Sequence, residues 1–186
     1  MTVAAVVLAA GGGARFAGPT HKLTAAFRGR PLVAWAVEHA LGAGLDETVV
    51  VSGAVDLADI VADGVTLLHN PSWTEGQAGS LRVALDWCDR RAHEAVVVGL
   101  GDQPLIPEEA WRRVAHAGAR PIVTATFGGE RRPPVRLARE VWAALPVTGD
   151  EGARALMRRR PQDVGEVACP GEPADVDTLE DLARWS

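Results

Sequence analysis

The start of the chain constrains its fold more than any other stretch. Val3–Leu8 is a Val-rich apolar run, and Ala9-Ala10-Gly11-Gly12-Gly13-Ala14-Arg15 follows at once. Lys22 stands seven residues beyond Arg15 and is the only lysine in the chain. A short continuous apolar run reads as a buried strand, of the kind found where helices cover both faces of a parallel sheet. The glycines after it let the backbone turn sharply and leave its N–H groups open. Successive N–H groups form an anion cradle, and Arg15 and Lys22 add two positive charges beside it. That combination suits a triphosphate, although a glycine loop can also serve only to turn the chain. It is not a Walker A loop, because no G-K-[ST] follows. Nor is it the dinucleotide fingerprint, because Phe16 stands where a third glycine is needed.

Strand-like and helix-like segments alternate through the rest of the chain. Strands are expected at Thr48–Ser52, Val65–Leu68, Ala95–Leu100, Pro121–Thr126 and Val164–Ala168, with Pro134–Leu137 extended after a Gly128-Gly129-Glu130 turn. Helices are expected from Pro31 to Leu41, with Leu32, Trp35, Ala36 and His39 on one face, and at Val55–Ala62, Ser80–Arg91 and Pro107–Ala117. Further helices are expected at Arg139–Leu145, Glu151–Arg159 and Thr178–Trp185. Ala95–Leu100 is the longest apolar strand after the first and belongs in the centre of the sheet. The alternation specifies a single α/β domain over 1–186, with a mostly parallel central sheet flanked by helices.

Composition narrows the function classes. The 186 residues carry a net charge of −5 and 47% apolar residues. An acidic balance argues against nucleic-acid or acidic-membrane partners, while local cations can still hold an anionic small molecule. No apolar run reaches the length of a membrane span. The start leads into a glycine loop rather than a cleavage site, so the expected location is cytoplasmic. Cys88 and Cys169 are isolated, and no two of the five histidines pair at helical spacing, so thiolate or imidazole metal sites are not expected.

Open α/β sheets bind ligands at the carboxyl ends of their strands. Besides the glycine loop, Gly101-Asp102-Gln103-Pro104 leaves such an end. Asp102 there is placed to hold Mg²⁺, a hard cation that takes oxygen ligands. Alternatively, its carboxylate closes an Asx turn within its own loop. Near the C-terminus, Asp175 and Asp177 are two apart, so an extended backbone faces both to one side and offers a second metal carboxylate. Asp177 or Thr178 can equally cap the last helix. In Glu75–Leu81, Gln77 can read a base edge and the glycines admit a planar ring, while Ser80 is the expected helix N-cap. Arg158-Arg159-Arg160 reads as a solvated face.

Taken together, LAAGGGARF, Lys22, GRPLV, NPSWTEGQAGSLRVAL, GLGDQPL, GDEGARALMRRRP and ADVDTLEDL stand in the order of the MobA-like nucleotidyltransferases and span nearly the whole chain. The chain resembles most the molybdenum cofactor cytidylyltransferase branch. The resemblance implies a Rossmann-like nucleotidyltransferase fold. It also implies transfer of a nucleoside monophosphate from an NTP to a phosphorylated acceptor, such as a molybdenum cofactor pterin, with release of pyrophosphate. Arg15, Lys22 and Asp102 would be catalytic. Leu8, Ala9, Ala10, Gly11, Gly12, Gly13, Lys22, Asn70, Gln77, Gly79 and Ser80 would bind the nucleotide. Asp102 with Asp175 or Asp177 would hold Mg²⁺, or Mn²⁺ in its place. The LAAG form of the loop favours CTP over GTP. A molybdoenzyme or its chaperone is the implied protein partner.

Three departures stand out. Phe16-Ala17-Gly18-Pro19-Thr20-His21 lengthens the loop between Arg15 and Lys22, Gly79 replaces a more usual serine, and Pro133 stands where relatives carry histidine. The last lies toward the acceptor and leaves open another acceptor, such as phospholactate or a sugar phosphate, or a GTP-using relative. A non-catalytic nucleotide-binding role in molybdoenzyme maturation is the remaining alternative.

Overall fold

The computed structural model describes all residues from Met1 to Ser186. The chain opens with β1 (Val3–Ala9), in which all seven residues are buried. An α-helix, α1 (Leu32–Gly42), then leads to β2 (Glu47–Ser52), and an irregular segment leads on to β3 (Val65–His69). Next come α2 (Gln77–Arg90), β4 (Ala95–Leu100), α3 (Glu108–His116), β5 (Ile122–Phe127) and β6 (Glu130–Ala138). A 3₁₀ segment at Arg139–Ala144, then α4 (Ala153–Arg159), β7 (Val164–Ala168) and α5 (Leu179–Trp185), complete the chain. A two-residue-per-strand hairpin pairs Ala26–Phe27 with Arg30–Pro31 ahead of α1.

The sheet order is β3-β2-β1-β4-β6-β5-β7. Only β6 runs antiparallel to its neighbours, so the mostly parallel sheet expected from the alternation is the one observed. The order reverses at β1, where Leu8 pairs with Val51 on one side and Leu100 on the other. A crevice opens at such a switch point, outside the carboxyl ends of the strands. Two apolar layers cover the sheet. One packs α1 and α3, including Trp111, against Ala5 and Val7 of β1. The other packs α2 and Trp142 around Val6 and Leu137. No helix is long and apolar enough to cross a membrane.

The β5–β6 hairpin turns through Gly128 and Gly129, both at positive φ (57° and 86°), the backbone that a two-residue turn demands. Its register then slips, Thr124 facing Val135 while Ala125 faces Arg132. The slip leaves Pro133 and Pro134 outside the pairing, where residues without an N–H cost the ladder nothing.

Two local expectations give way. Val55–Ala62 does not form a helix. Asp56 accepts the Ala58 N–H at 3.0 Å, Leu57 is wholly buried, and the Leu57 carbonyl takes both the Ile60 and Val61 N–H groups. A side-chain turn and one anchored leucine thus outcompete helical pairing. On α1 the buried face is Leu32, Val33, Ala36, Val37 and Ala40, rotated away from Trp35 and His39. Trp35 instead donates its indole N–H to the Phe27 carbonyl at 2.9 Å and fastens the small hairpin.

Candidate nucleotide and metal site

The ends of β1 and β4 lie side by side at the switch point and carry the glycine loop and Asp102. The Gly101 N–H donates to the Leu8 carbonyl at 2.9 Å, which fixes one loop against the other. A Cβ on Gly101 would sit 3.0 Å from the Ala9 Cβ, a contact tighter than side chains ordinarily make, so the approach favours glycine. The lengthened loop is stitched back by His21. Its Nε2 lies 3.1 Å from the Gly11 carbonyl, and its Nδ1 accepts the Leu23 N–H at 3.2 Å. Those partners require the neutral ring with the proton on Nε2. Burial, and more weakly the neighbouring Lys22 charge, hold the His21 pKa below its ordinary value although the Gly11 bond opposes this.

Lys22 is brought from this loop into the crevice. Its ammonium donates to Asp102 Oδ2 at 2.7 Å and to Asp177 Oδ1 at 2.8 Å. The three side chains are only 10%, 22% and 20% exposed respectively. Burial alone would lower the lysine, but the Asp102 charge and the bonds to both carboxylates outweigh it and raise its pKa. Arg15 reaches Asp177 Oδ2 at 2.8 Å from the solvent side, with its own side chain largely exposed.

The C-terminal acidic segment is held to the Asp102 loop by three bonds. The Val176 N–H donates to the Asp102 carbonyl at 3.0 Å, and Gln103 Nε2 donates to Asp175 Oδ1 at 2.9 Å and to the Pro173 carbonyl at 3.3 Å. Val176 anchors the strap in an apolar pocket with Phe27 and Leu32. Asp175 and Asp177 therefore have different partners. Asp177 meets Lys22 opposite Asp102, while Asp175 is spent on Gln103. Burial, then the Asp102 charge, raises the Asp175 pKa. Thr178 caps α5, with Asp181 completing a capping box.

Asp102 does not close an Asx turn. Its Oδ2 is held by Lys22, and its buried Oδ1 has no hydrogen-bond partner. No group of three or more His, Cys, Asp or Glu side chains is arranged to hold a metal. Asp102 and Asp177 converge on Lys22 as a pair, while Asp175 is turned to Gln103.

A cleft of about 340 Å³ opens beside this pair. Of the residues expected at the site, Leu8, Ala10, Gly11, Gly12, Gln77, Ser80 and Asp102 line it. Trp73, Thr74, Gly76, Leu100 and Asp150 complete it. Ala9, Gly13, Arg15, Lys22, Asn70, Gly79, Asp175 and Asp177 do not line it. Asn70 is spent internally: Nδ2 donates to Ser80 Oγ at 3.0 Å, and Oδ1 accepts the Ser72 N–H at 3.0 Å. Ser80 lies inside α2 and is not its N-cap. That place belongs to Gly76, at φ 108°, and the Gly149 carbonyl takes the free Ala78 N–H at 2.9 Å.

Trp73 and His21 are the residues that sequence reasoning missed. The Trp73 ring lies so close over Gly12 that a Cβ there would sit 2.7 Å from it, and a Cβ on Gly53 would sit 2.6 Å from the Trp73 Cβ. Two glycines far apart in the chain that each face one tryptophan carry no local signal.

A second cleft of about 440 Å³ shares Leu8, Gln77 and Leu100 with the first. Its floor is apolar, including Val98, Val135 and Met157, and Arg131, Arg132, Arg154 and Arg158 stand at its rim beside Pro133. Arg131 pairs with Glu166, Arg132 with Glu130 and Arg158 with Glu151.

Residues 5–164 match the family described as MobA-like NTP transferase domain. The chain belongs to the MobA-like NTP transferase family. Its fold and family are those of nucleotidyltransferases. Family relatives include a nicotine blue oxidoreductase of Paenarthrobacter nicotinovorans, 32% identical over 98% of this chain and 95% of that protein. A molybdenum cofactor guanylyltransferase of Cereibacter sphaeroides is 29% identical over 99% of this chain and 95% of its own. The crystal structure of Rv0371c from Mycobacterium tuberculosis H37Rv superimposes with a TM-score of 0.86 at 30% identity, covering 100% of this chain and 97% of that one. Another structure of Rv0371c is a complex with manganese.

Proposed function

We propose that this chain transfers a nucleoside monophosphate, CMP in preference, from an NTP to a phosphorylated acceptor of the molybdenum cofactor pterin type, with release of pyrophosphate. The observation that carries the reading is Lys22, buried between Asp102 and Asp177 beside an open glycine loop. Family members catalyse different reactions on one fold, so the site rather than the fold carries the specificity.

The carboxylate pair fits a divalent cation. Asp102 Oδ1 is an unspent buried oxygen donor. Two protein carboxylates are also what Mg²⁺ commonly takes, with waters and substrate phosphates as the rest of its shell. The manganese complex of Rv0371c supports the same class of ion. Asp102 and Asp177 would hold it, and it would supply charge neutralisation on the phosphates.

In the proposed reaction an acceptor phosphate oxygen attacks the α-phosphorus in line, and the bond to the β-phosphate bridging oxygen breaks. The nucleophile is already ionised, so no general base is required. The protein's part is positioning and charge neutralisation. The glycine loop offers N–H groups, and Lys22 and Arg15 offset charge on the departing pyrophosphate. The second cleft, continuous with the first through Leu8, Gln77 and Leu100, suits the acceptor. Its apolar floor takes a flat ring system, and its arginine rim takes an anion.

The preference for CTP rests on the LAAG form of the glycine loop, whose Ala10 lines the nucleotide cleft together with Trp73. Pyrophosphate release measured with each NTP, in the presence of Mg²⁺ and a panel of phosphorylated acceptors, tests the reading. Turnover with CTP and a pterin acceptor is expected. Tighter binding of GTP than CTP by about tenfold, or roughly 1.4 kcal/mol, would move the assignment to the guanylyl reaction. Given the oxidoreductase relative, binding of a nicotinamide dinucleotide in place of any NTP would overturn it altogether.

A further inference from the structure

Lys22 occupies the space that the metal needs. Its ammonium stands 2.7 Å and 2.8 Å from the two carboxylate oxygens that converge on the crevice. A divalent cation takes such oxygens at about 2.0–2.6 Å, so the two cations exclude each other sterically and by like charge. A buried ammonium that leaves two carboxylates must find another anion, because an unpaired buried charge is costly. The glycine loop that leads to Lys22 lines the cleft on the same side. A triphosphate seated there is the anion within reach.

We propose that Lys22 is a built-in stand-in cation, which competes with metal for Asp102 and Asp177 and keeps metal binding weak until a nucleotide triphosphate draws its ammonium away. Metal and nucleotide then bind with positive coupling, each supplying the charge that the other displaces, and the coupling is reciprocal. In the empty protein Lys22 also keeps the two carboxylates from repelling each other, so the site stays assembled without a metal. The inference rests on the proposed metal and triphosphate positions, but its tests need no turnover.

The first test is Mn²⁺ binding without nucleotide, followed by electron paramagnetic resonance. Lys22→Met is expected to bind Mn²⁺ at least about tenfold more tightly than wild type, a change of roughly 1.4 kcal/mol. Lys22→Arg, which keeps the charge, is expected to stay close to wild type. Equal or weaker binding by folded Lys22→Met would overturn the proposal. The second test uses the wild-type chain, so it survives a variant that does not fold. Lys22 is the only lysine, and reductive methylation with ¹³C-formaldehyde therefore labels it and the N-terminal amine alone. Saturating Mn²⁺ is expected to speed labelling of Lys22 relative to the N-terminus, and adding a non-hydrolysable CTP analogue is expected to slow it again. Labelling of Lys22 unmoved by Mn²⁺ would overturn the proposal. Either positive result stands even if no NTP turns over, which separates this inference from the assigned reaction.

Discussion

Replacing Glu47 tests whether the amino end of the sheet, opposite the crevice, is held by one carboxylate. Glu47 begins β2, and three elements converge on it. Thr66 Oγ1 and Trp87 Nε1 each donate to Oε1 at 2.8 Å, and His93 Nε2 lies 2.8 Å from Oε2. Its side chain is 13% exposed. Burial by itself would raise the carboxyl, but the bonds from His93, Trp87 and Thr66 outweigh it and lower the pKa from 4.5 to about 2. A depressed folded pKa stabilises the protein above the unfolded value, and that stabilisation is lost as pH falls through the folded one. At about 1.4 kcal/mol per pH unit, the drop amounts to roughly 3 kcal/mol. Glu47→Gln is therefore expected to lose about 3 kcal/mol of stability at pH 7, the order of a broken buried charge network. The deficit should shrink steadily below pH 4.5 and nearly vanish close to pH 2. Urea unfolding of both proteins across that range measures it. A deficit that stays constant with pH would refute the electrostatic account and leave only lost packing.

Three further outcomes follow from the crevice. Asp102→Asn should fold normally and lose activity by on the order of a hundredfold, as removal of a charge-organising group does; metal titrations of rate in both proteins check it, and unchanged metal dependence would take Asp102 out of the site. Trp73→Ala should weaken NTP binding by about tenfold, the size of a lost stacking wall, with little change in thermal stability beyond that of a half-exposed loop; calorimetry separates the two. Gln103→Leu should raise KM for NTP more than it lowers kcat, because it frees the strap that carries Asp177 rather than removing a contact to substrate. It should also cost about 1–3 kcal/mol by leaving Asp175 without its donor, and Gln103→Asn rescuing neither would fit a reach too short to bridge the two loops.

The sequence shows some of this directly and hides the rest for physical reasons. β1 and β4 are legible because strands buried on both faces need uninterrupted apolar runs, and the central position expected for Ala95–Leu100 is where it lies. The helix expected at Val55–Ala62 fails because its apolar residues pack around Leu57, the fully buried one among them, from an irregular turn that Asp56 starts. Ser80 looks like a helix cap because serine usually is one at such a position. The true start is set by the Gly149 carbonyl, which no window around Ser80 contains. Asp175 and Asp177 show the limit of alternation. Spacing puts both on the same side, but only tertiary contact sends one to Gln103 and the other to Lys22.

The strap and the loops explain why the charged pair sits where it does. At the switch point β1 and β4 end side by side, so the glycine loop and Asp102 are adjacent whatever the distant chain does. Asp177 is different: 155 residues separate it from Lys22, and its position depends on Val176 filling the pocket beside Phe27 and Leu32. Half of the carboxylate pair is thus fixed by sheet topology and half by the docking of the C-terminal segment. A loss of that docking leaves Asp102 with Lys22 alone, a one-to-one ion pair. Docking of the strap therefore turns a lysine–aspartate pair into a site in which Lys22 is shared by two carboxylates and Arg15 completes the charge balance.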